Sequence, residues 1–149
     1  MRWLALDHGT KNIGIAFCDE LEILASPYAV WPNQGEATLA RLARLARDEG
    51  AQALVVGLPR HKDGAESGTA GLARAFGEAL GERTGLPLTF WDEHLTSAEA
   101  ERLLAQRGVK PRERKARLDA AAAAVILEDL LAERRSKGSS IPSSSAGGS

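Results

Sequence analysis

Residues 53–57, ALVVG, are apolar without a break. A strand with one wet face would alternate. A short continuous run between polar segments therefore reads as a strand buried on both faces. Both faces then need covering layers, and the neighbouring segments supply them. Residues 36–49 place Leu39, Leu42, Ala43 and Ala46 at i, i+3, i+4 and i+7, with Arg41, Arg44 and Arg47 on other faces and Gly50 as a C-cap. Residues 68–83 gather Leu72, Phe76, Ala79 and Leu80 on one side, with Gly85 following. Helices on either side of such a strand predict an α/β domain.

The rest of the chain fits that frame. Residues 4–7 and 13–18 read as two strands joined by a turn that contains Gly9 and is ended by Gly14. Residues 22–30 suggest a third strand, stopped near Pro32. LPLTFWDE, residues 86–93, is another strand and ends in two acids. TSAEAERLLAQRG opens with a capping box between Thr96 and Glu99 and closes at Gly108. VKPRERKAR, 109–117, reads as a flexible basic connector, and residues 118–135 as the last helix. The sheet is predicted to be mixed, antiparallel at the start and parallel later. Residues 1–137 form the expected domain. Residues 138–149, GSSIPSSSAGGS after Lys137, read as a low-complexity tail with too little apolar surface to fold.

Composition narrows the setting. At 149 residues the chain is long enough for one domain with a proper core. A net charge of −1 does not announce a nucleic-acid binder, so only the distribution of charge could. A single cysteine, Cys18, allows no internal disulfide and reads as a small core residue, which suits a reducing cytoplasm. No apolar run approaches the roughly 18 residues of a membrane span. Met1 leads almost directly into a strand, without a signal-peptide pattern.

Three carboxylates stand out. Asp7 ends the first strand, and Asp92 or Glu93 ends the last. In a parallel sheet, ligands gather beyond the carboxyl ends of strands. If the two strands run parallel as neighbours, both acids reach one edge. Asp92 and Glu93 point to opposite faces, so only one can share the side of Asp7. Asp119 is the third. Ala122, Ala123, Ile126 and Leu130 follow it at helical spacing, so it lies on the apolar face near the start of its helix. A carboxylate on that face is costly unless paired or metal-bound. Converging carboxylates repel, and a divalent cation removes that cost. Hard oxygen ligands suit Mg²⁺ or Mn²⁺, which hold phosphates and assist attack on a phosphodiester. Each acid also has a plainer role: Asp7 as a turn cap, Asp92 and Glu93 as solvated strand ends, Asp119 as a helix N-cap.

The connector concentrates Lys110, Arg112, Arg114, Lys115 and Arg117 against one acid, Glu113. A cationic segment beside an acidic site could hold a polyanion whose backbone is cut, and Lys11 could meet a phosphate. The same residues also fit a solvated loop. His8, His61 and His94 share no metal-ligand spacing. Trp3 and Trp91 read as core or partly covered residues.

LDHGTKNIGIA, VVGLPRHKDG, DEHLTSAEAERLL and LDAAAAAVILEDLL occur in that order. Together they resemble the YqgF family of ribonuclease H-like nucleases, described as pre-16S rRNA nucleases and as relatives of Holliday-junction resolvases. The resemblance covers residues 1–135. It implies an α/β ribonuclease H-like fold: a central mixed five-stranded sheet, the first strand in the middle, helices on both sides. It carries the site over as Asp7, Glu93 and Asp119, and it is the resemblance that selects Glu93 over Asp92. It implies a hydrolase using Mg²⁺ or Mn²⁺ on structured RNA or branched DNA, as a monomer or homodimer. This sequence has Asn12 after Lys11 and His94 after Glu93 where the family often has Arg.

Two other function classes compete. DHGT also resembles the phosphate loop of actin-type and sugar-kinase ATP-binding domains, but those close two such domains over nucleotide. This chain has no second Asp-x-Gly-Thr stretch. A non-catalytic nucleic-acid-binding module would bind without metal-dependent cleavage.

Overall fold

The computed structural model describes residues 1–59, 69–93, 102 and 104–138, with the backbone alone at Pro59, Glu93, 111–116 and Gly138. Five strands form one sheet: β1 Trp3–His8, β2 Asn12–Cys18, β3 Ala25–Pro32, β4 Ala53–Pro59 and β5 Leu88–Glu93. Their order is β3-β2-β1-β4-β5. β2 is antiparallel to both β1 and β3, whereas β4 runs parallel to β1 and to β5. The mixed sheet is therefore as expected, with β1 in the middle.

Period-two alternation divides the core between two faces. Leu4, Leu6, Ile13, Ile15, Phe17, Leu54 and Val56 form one, covered by α1 Glu36–Asp48 and α2 Ala70–Thr84. Trp3, Ala5, Ala16, Cys18, Ala53 and Val55 form the other, covered by α3 Pro111–Gly138. The residues on the second face are mostly small, and α3 meets them with buried Ala120–Ala124. Little side-chain bulk separates helix and sheet, so backbone approaches backbone.

Several boundaries differ from expectation. The third strand starts at Ala25 because residues 19–24 turn: Asp19 Oδ1 accepts from the amides of Ile23 at 2.7 Å and Leu24 at 3.2 Å. Glu22 there takes φ 59°. Leu72 is 56% exposed and does not join the buried side of α2, which starts at Ala70 and ends at the left-handed Gly85. Gly14 is an internal residue of β2, not the end of the turn. The connector at 109–117 is largely helix: α3 begins at Pro111, where the fixed φ of proline suits a first helical position. Asp119 consequently lies eight residues beyond the first residue of α3, which rules out an N-cap role. Cys18 is a free, buried thiol, and Trp3 is core. Trp91 is half-buried against the α3 face. Among the described residues no helix is long and apolar enough to cross a membrane. The capping box at Thr96 and Glu99, the residues His61 and His94, and the tail beyond Gly138 lie outside the described residues.

Candidate active site at the carboxyl ends of the central strands

β1 places Asp7 at its next-to-last position, half-buried. Register then sets its neighbours. Asp7 pairs with Gly14 on β2, and Gly14 with Val30 on β3. On the other side Asp7 pairs with Gly57 on β4, and Gly57 with Trp91 on β5. These five residues make one row across the sheet, and paired residues share a face. Asp7 and Gly14 thus belong to the α3 face, two steps along from Ala5 and Ala16.

α3 crosses that row at Gly14. A Cβ built on Gly14 would overlap the backbone carbonyl of Asp119 and approach the Ala120 amide nitrogen to 2.8 Å. Only glycine permits this contact. Asp119 therefore stands over β2, the strand next to Asp7. Ala122, Ala123, Ile126 and Leu130 are buried on the same helical stripe, as their spacing predicts. Burial alone pushes the Asp119 carboxyl above its usual value. A negative charge there is disfavoured by desolvation and would be relieved by a cation.

Register also separates the two acids of β5. Asp92 pairs with Leu58 and is exposed on the face of α1 and α2. Glu93 pairs with Pro59, two residues beyond Trp91, and so occupies a position of the Asp7 face. Its side chain lies outside the described residues. Among those residues no three His, Cys, Asp or Glu side chains gather to hold a metal ion.

The β1–β2 turn lies just beyond Asp7. The Gly9 amide donates to the Asn12 carbonyl at 2.9 Å, and Lys11 and Asn12 are exposed. Asn33, which sequence reasoning missed, holds this turn from outside. Its Nδ2 donates to the Gly9 carbonyl at 2.9 Å, and its backbone amide to the Lys11 carbonyl at 2.8 Å. Its Oδ1 accepts from the Gly35 amide at 3.1 Å, an Asx turn whose signature, Asn two residues before Gly, was present in the sequence. His8 belongs to the opposite face from Asp7, with its ring 4.9 Å from that of Phe76. Burial lowers its pKa, more than its backbone hydrogen bond raises it.

The other predicted cations are distributed around α3. Lys110 is exposed just before it. Arg112, Arg114 and Lys115 fall in its first two turns, their side chains outside the described residues. Arg117 is exposed and lines a cavity of about 350 Å³ with Ala120 and Pro27–Val30 of β3. That cavity adjoins the Val30 end of the same row.

The sequence profile of the RuvX family, described as Holliday junction resolvase, matches residues 1–133. A protein of Anaeromyxobacter sp. strain Fw109-5 named "Putative pre-16S rRNA nuclease" is 43% identical over 132 residues, 88% of this chain and 96% of its own. Its namesake in Symbiobacterium thermophilum is 41% identical over 138 residues, covering 92% and 96% of the two chains. Among solved structures, the RuvC of T. thermophilus in complex with Holliday junction substrate superposes with a TM-score of 0.52 at 16% identity, over 91% of this chain and 96% of that one. The Fowlpox virus resolvase with its Holliday junction DNA gives 0.59 at 12% identity, over 89% and 98%. These likenesses show a shared ribonuclease H-like fold.

Proposed function

This chain belongs to the RuvX family, and from that premise we propose that it is a metal-dependent nuclease that hydrolyses phosphodiester bonds, acting at the 5′ end of precursor 16S rRNA. The observation that carries this reading is the approach of Asp119 to the strand beside Asp7 through Gly14. Two acids from distant parts of the chain reach one sheet face at the carboxyl ends of the strands, where such folds place their ligands. The names of the curated relatives support rRNA as the substrate.

Asp7, Glu93 and Asp119 are the assigned catalytic residues. Their oxygen donors fit Mg²⁺ or Mn²⁺, and the half-buried Asp119, destabilised as an anion by burial alone, fits a cation beside it. When bound, such an ion would offset the repulsion among the acids and polarise a phosphoryl oxygen. The protein itself fixes two of the three positions on β-strands, and the third on a helix pressed against the sheet. Lys11, Lys110, Arg112, Arg114, Lys115 and Arg117 contact the sugar-phosphate backbone and position it. Such contacts carry no sequence information. The setting is cytoplasmic, and the residues after Gly138 are dispensable.

A second reading, resolution of four-way DNA junctions, is favoured by the fold shared with RuvC and the Fowlpox virus enzyme. It requires two carboxylate clusters related by two-fold symmetry, hence a dimer, because paired nicks fall on symmetry-related strands. Trimming an RNA end requires one. The test is a cleavage panel with Mg²⁺ and Mn²⁺ on precursor rRNA, single strands and four-way junctions, with sedimentation alongside. Metal-dependent trimming of precursor rRNA by a monomer, lost in Asp7→Asn, supports the first reading. Symmetric paired nicks by a dimer would replace it with the second. Wild-type turnover by Asp7→Asn would remove the site.

A further inference from the structure

The outer face of α1 carries cations that the site above does not use. The tripeptide Ala-Arg-Leu recurs across 40–47. The repeat that sends Leu39, Leu42 and Ala46 into the core leaves Arg41, Arg44 and Arg47 exposed, one every three residues. Each step advances about 4.5 Å along the helix axis.

Several other cations of the molecule are held by acids. Arg2 meets Glu49, Arg83 meets Glu36, Arg134 meets Glu22 and Lys137 meets Glu133. Among the described residues Arg41, Arg44 and Arg47 enter no ion pair. Like charges three apart on a helix destabilise it by a few tenths of a kcal/mol. An unneutralised row is therefore available to an anion supplied from outside.

The row also begins beside the candidate site. The Arg41 guanidinium lies 3.7 Å from the centre of the Trp31 ring. Trp31 pairs with Ile13, and Asn12 with Pro32, at the start of β2. Two residues after Trp31, Asn33 binds the Lys11 carbonyl. Arg41 is thus held at the corner next to the turn that carries Lys11. Stacking on an aromatic face fixes the plane of a guanidinium while leaving its N–H edge open, the edge that binds phosphate oxygens.

We propose that Arg41, Arg44 and Arg47 form a second backbone-binding track for the nucleic acid, leading from Lys11 along the outside of α1. The α3 cations lie on one face of the sheet and this track on the other, so the strand crosses the β1–β2 turn between them. The ligand class is the phosphate backbone of RNA or DNA, bound without base readout. The inference rests on the nuclease reading.

The test uses the full chain without divalent metal and a labelled RNA hairpin with a single-stranded 5′ extension, followed by fluorescence anisotropy over a salt series. Arg41→Ala/Arg44→Ala is compared with Arg135→Ala/Lys137→Ala, which removes equal charge from the far end of α3. The first variant is expected to lose about 1.4–1.8 from the logarithmic salt slope, at about 0.7–0.9 per phosphate contact. The second should keep the wild-type slope, and Arg41→Lys/Arg44→Lys should recover most of the loss. An α1 variant with the wild-type slope, or equal losses in both Ala variants, would overturn the track while leaving the nuclease reading intact. Wild-type protein without salt-dependent binding would defeat both.

Discussion

Gly14 and Asp119 touch backbone to backbone, 105 residues apart in sequence, and that contact joins the first third of the chain to the last. Gly14 is paired with Asp7, so its missing side chain lets the Asp119 backbone settle on the strand beside Asp7. Ala120–Ala124 continue the same economy along α3: each buried methyl fills space without lifting the helix. Small residues on both surfaces set the distance between a strand carboxylate and a helix carboxylate.

Gly14→Ala is therefore expected to be severe. The added methyl collides with main chain, which has no rotamer to escape into, so α3 must shift off β2. Overpacking of this kind costs about 1–3 kcal/mol. Cleavage should fall further than stability predicts, because Asp119 moves with the helix. Gly71→Ala is the control, since a Cβ there meets nothing within 4 Å in α2. It should be neutral or stabilising by about 0.4–1 kcal/mol. Denaturant midpoints and cleavage rates of the two variants check both statements; a fully active Gly14→Ala protein would show that Asp119 need not sit so close.

The basic residues that open α3 lead to a second expectation. Arg112 lies in the first turn of a helix, where the macrodipole disfavours positive charge by about 0.3–1 kcal/mol, and Arg114 and Lys115 follow in the second turn, where the effect has largely faded. Changing all three to Ala should leave the thermal midpoint equal or raised. Nucleic-acid binding should weaken more than saturated turnover slows, with the salt slope reduced by about 0.7–0.9 per lost contact. An unchanged slope and affinity would leave these residues as a solvated helix end.

Different parts of this architecture were legible in the sequence to different degrees. ALVVG and the apolar spacing of 36–49 disclosed a buried strand and a covering helix because both signals are local periodicities. The strand order came from resemblance, since pairing partners are distant in sequence. Local pattern alone did not separate Glu93 from Asp92; the resemblance chose Glu93, and the face each occupies follows from the β4–β5 register, which is a long-range property. The start of α3 is hidden in the sequence because its first seven residues carry no apolar period. Pro111 was the available signal, and it was outweighed by the charge around it. Gly14 looked like turn punctuation, because nothing local reveals which helix will cross a strand.

The turn between β2 and β3 offers a pH test away from the candidate site. Burial pushes the Glu22 carboxyl up, but hydrogen bonds and charge from Arg134 and the Met1 amino group outweigh it and hold it below its usual value. Arg134 Nε donates to Oε1 at 2.7 Å. A carboxylate with a depressed folded pKa adds stability above its unfolded pKa and loses it as pH falls through the folded value. Glu22→Gln should cost about 1 kcal/mol at neutral pH. That difference should close in acid, as pH falls through the lowered folded value and the wild-type carboxyl protonates. Thermal midpoints of both proteins across the acid range check the sign; a difference that widens in acid would contradict it.

Asn33 should govern the order of the β1–β2 turn. Its side chain donates to Gly9 and accepts from Gly35, so one residue fastens the loop after Asp7 to the entrance of α1. Each neutral hydrogen bond of this kind contributes about 0.5–1.5 kcal/mol net. Asn33→Ala removes both, while the backbone bond from Asn33 to Lys11 can persist. The Gly9 carbonyl is then left to solvent, and the turn closes on the Gly9–Asn12 bond with one fewer restraint. Amide exchange at Gly9 should accelerate well before global unfolding, because local opening follows the weakest set of contacts. Cleavage should slow at saturating substrate, since Asp7 lies two residues from the released carbonyl. Asn33→Asp keeps the acceptor for Gly35 but cannot donate to Gly9, and it sets a carboxylate against that carbonyl oxygen. It should therefore resemble Ala, not the wild type. If Asn33→Ala exchanges and cleaves as the wild type does, the glycine turn holds its own shape and the contact from Asn33 is incidental.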